Sequence, residues 1–118
     1  MSSKDIIKHK VISTLETEKL NMIKILDRYS NVISYKAIIY KDVIKTLDIC
    51  KAIILTLYSD NKYCDNSIDI LTEYLKILDD MKEVYSIRKD NLLEKIYSEK
   101  IKKIDEIKIK LMHILIEL

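Results

Sequence analysis

Neither glycine nor proline occurs anywhere in the 118-residue chain. That absence removes most of what a β-rich fold is made from. Tight hairpins use glycine or another residue tolerant of positive φ, and sharp β-corners favour proline. What remains is a set of helices joined by loops of Asn, Asp, Ser and Lys. Hydrophobic spacing agrees. Apolar residues recur at intervals of three and four, the period of a helix face, and strict alternation is confined to short runs such as residues 107–111. Isoleucine supplies 23 residues and alanine only 2, so intrinsic helix propensity is mediocre. Such helices depend on packing against each other. The expected fold is all-α.

Residues 43–58, VIKTLDICKAIILTLY, organise the rest. Val43, Leu47, Cys50, Ile54 and Leu57 form one stripe. Ile44 and Leu55 flank it on one side, and Ile49, Ala52 and Ile53 on the other. A helix that is apolar nearly all round has to be covered on several sides. This stretch therefore reads as the central second helix of a four-helix, mostly antiparallel bundle, a single domain over residues 1–118. The first helix is capped by Ser2 or Ser3. It carries Val11, Ile12, Leu15, Met22, Leu26 and Tyr29, is interrupted by Lys19, and ends near Ser30-Asn31 or kinks there and continues. The second runs over residues 32–58. A polar loop at residues 59–66 precedes the third, which Asp65, Asn66 or Ser67 caps and whose stripe is Ile68, Leu71, Leu75, Leu78 and Met81 or Val84.

Arg88-Lys89-Asp90-Asn91 reads as the last turn. The fourth helix follows from Leu92 to the C-terminus, with Leu93, Tyr97, Ile104, Ile107, Leu111, Ile114, Leu115 and Leu118 inward. Glu99 with Lys103, and Glu106 with Lys110, are spaced for surface pairs. Without that turn, the third and fourth helices would fuse into one long helix of roughly 75 Å in an intertwined dimer.

The net charge of +2 is too small to call for an anionic partner. It is unevenly spread: residues 1–58 hold 10 bases and 6 acids, residues 59–90 hold 5 bases and 8 acids, and residues 91–118 hold 6 bases and 5 acids. Lysine outnumbers arginine 19 to 2. With the abundance of Ile, Tyr and Asn, this suggests an AT-rich genome, and fits a small adaptor or host-modulating protein of a virus or mobile element. No apolar run approaches the roughly 18 residues that span a bilayer. The first ten residues are polar and unlike a signal peptide. The expectation is a soluble, intracellular, cytoplasmic protein with no membrane span. Two cysteines make no disulfide framework, so Cys50 and Cys64 are expected to be reduced thiols.

Catalytic patterns are missing. There is no HExxH, no paired CxxC and no Gly-rich phosphate loop. The two histidines, His9 and His113, lie near opposite ends of the chain. Asp79, Asp80 and Glu83 read as a solvated helix face rather than a metal site. A non-enzymatic protein without cofactor or metal is therefore expected. Lys95, Lys102, Lys103 and Lys110 fall broadly on one side of the fourth helix, which supports a runner-up reading: a nucleic-acid-associated accessory factor using the Lys-rich faces of helices one and four. Against it stand the interleaved Glu99 and Glu106 and the near-absence of arginine for base contacts. Tyr29, Tyr40, Tyr58, Tyr74 and Tyr97 read as core-edge residues rather than stacking platforms.

The leading reading is a protein–protein interaction module. Ile109, Met112 and Ile116 make a second apolar stripe on the fourth helix, away from its core face. Spacing of i, i+3, i+7 suits a homodimer seam or binding of a partner's helix, unless a neighbouring helix of the same bundle covers it.

Overall fold

A computed structural model describes residues 3–29, 35–60, 66–87 and 94–117. They form four helices and no strand: α1 (Ser3–Asp27), α2 (Tyr35–Ser59), α3 (Ser67–Ile87) and α4 (Glu94–Ile116). The longer helices, at 25 residues, rise about 38 Å. The molecule measures 46 × 30 × 23 Å, so the bundle is one helix long.

Cross-helix contacts fix the topology. Lys19 Nζ lies 2.7 Å from Asp48 and Lys51 Nζ lies 2.8 Å from Glu16, so α1 and α2 run antiparallel. Toward one end of this hairpin Lys8 sits over the Tyr58 ring at 5.9 Å, and toward the other Tyr29 meets Tyr40 at 5.9 Å. The α3–α4 pair is a second antiparallel hairpin, joined by Lys82 to Asp105, by Lys108 to Asp79, and by Tyr85 stacked on Tyr97 at 5.6 Å. This excludes the fused α3–α4 rod, and the first hairpin likewise excludes a continuous α1–α2 helix. Between hairpins, α2 and α4 run parallel: Lys95 sits over the Tyr35 ring at 5.7 Å, and Lys100 approaches Asp42 at 3.9 Å. These two helices meet across the middle of the bundle more extensively than α1 and α3 do. α2 packs against all three others and is central, as its sequence implies.

The α2 stripe is buried throughout, with Cys50 and Ile54 at 0 % exposure. The flanks are not. Ile49 and Leu55 are exposed, Ala52 is exposed, and Ile53 and Ile44 are half-buried, so α2 is covered on several sides, as expected, while its flanks stay partly open. In α1, Ile7, Val11, Leu15 and Met22 are buried, while Ile12, Leu26 and Tyr29 are half-buried. The polar member of this stripe is Glu18, not Lys19; Lys19 turns out to Asp48, which holds its ammonium above the ordinary value by hydrogen bonding. In α3 the inward residues are Ile70, Leu71, Tyr74 and Leu78; Leu75 and Met81 are half-buried, and Ile68 and Val84 are exposed. Tyr58 and Tyr74 are core residues rather than core-edge ones. In α4, Ile96, Ile104, Ile107 and Leu111 are buried, with Tyr97, Ile114 and Leu115 half-buried.

Asn66 caps α3. Its Oδ1 accepts from the Ile68 and Asp69 amides at 3.1 and 3.3 Å, satisfying donors that the first helical turn leaves open. α1 ends in a tightened turn, with the Arg28 and Tyr29 amides donating to the Ile25 and Leu26 carbonyls. The expectations at Ser2, Ser30-Asn31, residues 32–34, Cys64, Asp65, residues 88–93 and Leu118 lie outside the described residues.

Candidate interaction surfaces

Three features of the bundle bear on function. The first is the outer face of α4. Ile107 and Leu111 are fully buried and direct that helix's main stripe into the core, which turns residues two positions away outward. Ile109, Met112 and Ile116 are 60 %, 49 % and 78 % exposed. Among the described residues none closes over them, which goes against the internal-cover alternative.

The second is a buried carboxylate of α1 that gathers lysines of α4. Glu18 is 5 % exposed and takes Lys103 on one oxygen at 3.1 Å and Lys110 on the other. Lys103 also reaches Glu106 at 2.8 Å. The i, i+4 partners expected from the sequence, Glu99 for Lys103 and Glu106 for Lys110, are passed over for a carboxylate on another helix. Lys95 lies over Tyr35, and Lys102 is exposed. Beside them is a hollow of about 160 Å³, lined by Met22, Tyr40 and Val43 together with Glu99, Lys102, Lys103 and Glu106. Acids and bases alternate there, so neither sign of potential prevails. Glu18 could have been found from spacing, because Val11, Leu15, position 18 and Met22 follow one helical stripe.

The third is an open groove between α2 and α3. Ile49 and Ile53 of α2 face Ile77, Met81, Val84 and Tyr85 of α3, with Asp80 at the edge, around a hollow of about 340 Å³. It continues past Ala52, Thr56 and Leu57 into a neighbouring hollow of about 330 Å³ that shares Ile49, Ile53 and Ile77. Reading the sequence alone missed this groove, because Ile49, Ala52, Ile53 and Leu57 look like core when the neighbours are not placed.

Cys50 is a free thiol at 0 % exposure, and burial pushes its pKa from 9 up to about 12, so it stays protonated. The Tyr74 hydroxyl, also buried, donates to the Cys50 carbonyl oxygen at 2.8 Å; burial first, then the neighbouring Cys50, push its pKa upward. The pair ties α3 to α2. His9 and His113 are exposed on different helices. Asp79 pairs with Lys108 while Asp80 points to the groove, and among the described residues no cluster of His, Cys, Asp or Glu is arranged to hold a metal ion. Among those residues, no helix is long and apolar enough to cross a membrane. No family model matches the chain, and neither a curated protein nor a solved structure matches it significantly.

Proposed function

We propose that this chain is a non-enzymatic protein-interaction module that associates with itself through the outer face of α4. The observation that carries the reading is the exposure of Ile109, Met112 and Ile116 on a helix whose main stripe is already in the core. Together the three keep nearly two side chains' worth of surface in water per protomer. A two-fold contact would bury twice that. At about 1.5–3 kcal/mol per fully buried side chain, the gross gain is about 6–11 kcal/mol. Association costs about 4–15 kcal/mol in lost freedom, so the dimer is concentration-dependent rather than obligate. A symmetric pair uses one patch twice and is the commonest arrangement for soluble homo-oligomers.

A nucleic-acid accessory role has weaker support, because Lys103 and Lys110 are taken up by Glu18 and Lys95 lies over Tyr35. Sedimentation equilibrium on the wild type and on an Ile109→Lys, Ile116→Lys double variant tests the proposal. The wild type should self-associate in the micromolar range and the variant should remain monomeric. A wild type that is monomeric at high micromolar concentration contradicts it.

A further inference from the structure

The groove between α2 and α3 is independent of the α4 face and differs from it in charge. Its apolar floor extends on α2 from Ile49 to Thr56 and on α3 from Ile77 to Val84. That is about two helical turns on each wall, the length that accepts three anchors at i, i+3 or i+4, and i+7. One rim is acidic. α3 holds five acids against two lysines, in a protein whose net charge is +2. Asp79 and Lys82 are committed to α4 through Lys108 and Asp105. Asp80 lines the groove itself. Asp69 and Glu73 precede Ile77 by eight and four residues, so they lie on the same outer side of α3 as Asp80, one to two turns before the groove floor begins. None of Asp69, Glu73 and Asp80 makes an ion pair with another described residue.

Resting on the protein-interaction reading, we infer that this groove binds an amphipathic helix of a partner protein whose apolar stripe is bordered by Lys or Arg on the side facing α3. The charge pattern decides between occupants. A second copy laid groove to groove would bring two acidic rims into one interface, and like charges there are costly. A basic helix supplies the counter-charges that Asp69, Glu73 and Asp80 lack among the described residues, and its leucine-type anchors enter between Ile49, Ile53, Ile77 and Met81.

Two synthetic helical peptides of about five turns test this against the full-length protein by fluorescence anisotropy. They share one leucine stripe at i, i+3, i+4 and i+7; one carries Lys and Arg along an edge, the other Glu. The basic peptide should bind about tenfold or more tightly than the acidic one at low salt, with the gap narrowing as salt screens it. A Glu73→Lys, Asp80→Lys variant should reverse the order. Ile49→Asp, a charge at a half-exposed position, should abolish binding of both, and Ile109→Lys, Ile116→Lys should change neither. Equal binding of the two peptides, or an order that Glu73→Lys, Asp80→Lys leaves intact, overturns the inference. If neither peptide binds while the wild type self-associates through α4, the groove assignment falls and the interaction reading stands; if the wild type is also monomeric, both fall.

Discussion

Glu18 is the one buried charge among the described residues, and replacing it is an exacting test of how α1 and α4 are joined. Removing one member of a buried ion pair costs about 3–5 kcal/mol when it strands the other charge. Here the loss is moderated. Lys103 keeps Glu106 at 2.8 Å, and the Lys110 side chain is 52 % exposed and can turn to water. Glu18→Gln keeps the shape and forfeits the charge, so the expected cost is about 1.5–3 kcal/mol, the worth of hydrogen bonds to charged groups. Replacing both partners, Glu18→Leu with Lys103→Met, should return most of that loss, since well-packed apolar residues substitute for a buried pair at little cost. Urea unfolding followed by circular dichroism reads each midpoint, with the slope unchanged between variants. The double-mutant cycle should give a coupling of about 0.5–3 kcal/mol. A Glu18→Gln cost below about 0.5 kcal/mol, or a coupling of zero, would show that Glu18 is hydrated in solution and that the lysines are free.

The other expectations are independent of that pair. Ile54→Ala, at a fully buried position of α2, should cost about 2–5 kcal/mol; a thermal midpoint that barely moves would remove α2 from the centre. The Cys50 pKa is about 12 in the folded protein against an ordinary 9, and that of Tyr74 is also raised. Their contribution is therefore full below pH 9 and is lost as pH climbs toward 12, so urea midpoints should fall steeply over that window, and less steeply in a Cys50→Ala, Tyr74→Phe variant. Duplex DNA or RNA should bind weakly and be released near physiological salt; tight binding that persists there and weakens on Lys95→Glu, Lys102→Glu, Lys103→Glu would favour the accessory-factor reading.

How far the residues themselves reveal this fold depends on which question is asked of them. The all-helical class follows from the missing glycine and proline, and the α2 stripe from Val43 to Leu57 is buried as its spacing implies. Helical phase is harder where apolar residues are abundant. In α3, Ile68 and Ile70 are both isoleucines two positions apart, yet Ile70 is buried beside Leu71, Tyr74 and Leu78 while Ile68 is half exposed. Periodicity also assumes that every apolar flank finds a neighbour. Ile49 and Ile53 belong to a flank that α3 does not close over, and the hollow between them and Ile77, Met81 and Val84 stays open. Spacing places Glu18 on the α1 stripe with Val11, Leu15 and Met22, but the cations that hold a carboxylate there come from α4, and no local pattern in α1 announces them. The α4 stripe was legible, since Ile109, Met112 and Ile116 lie opposite a core stripe on the same helix.

Peroxide oxidation of Met112 tests the association through α4 most directly, because the side chain stands in the middle of the exposed stripe at 49 % exposure. Conversion to the sulfoxide reports access to that sulfur, and mass spectrometry separates it from Met81 in the groove. If the outer face of α4 is the seam, oxidation of Met112 should slow as the protein is raised from low to high micromolar concentration, Met81 should keep a constant rate, and Ile109→Lys, Ile116→Lys should erase the concentration dependence. Oxidation of Met112 at the same rate across that whole range would contradict the proposal.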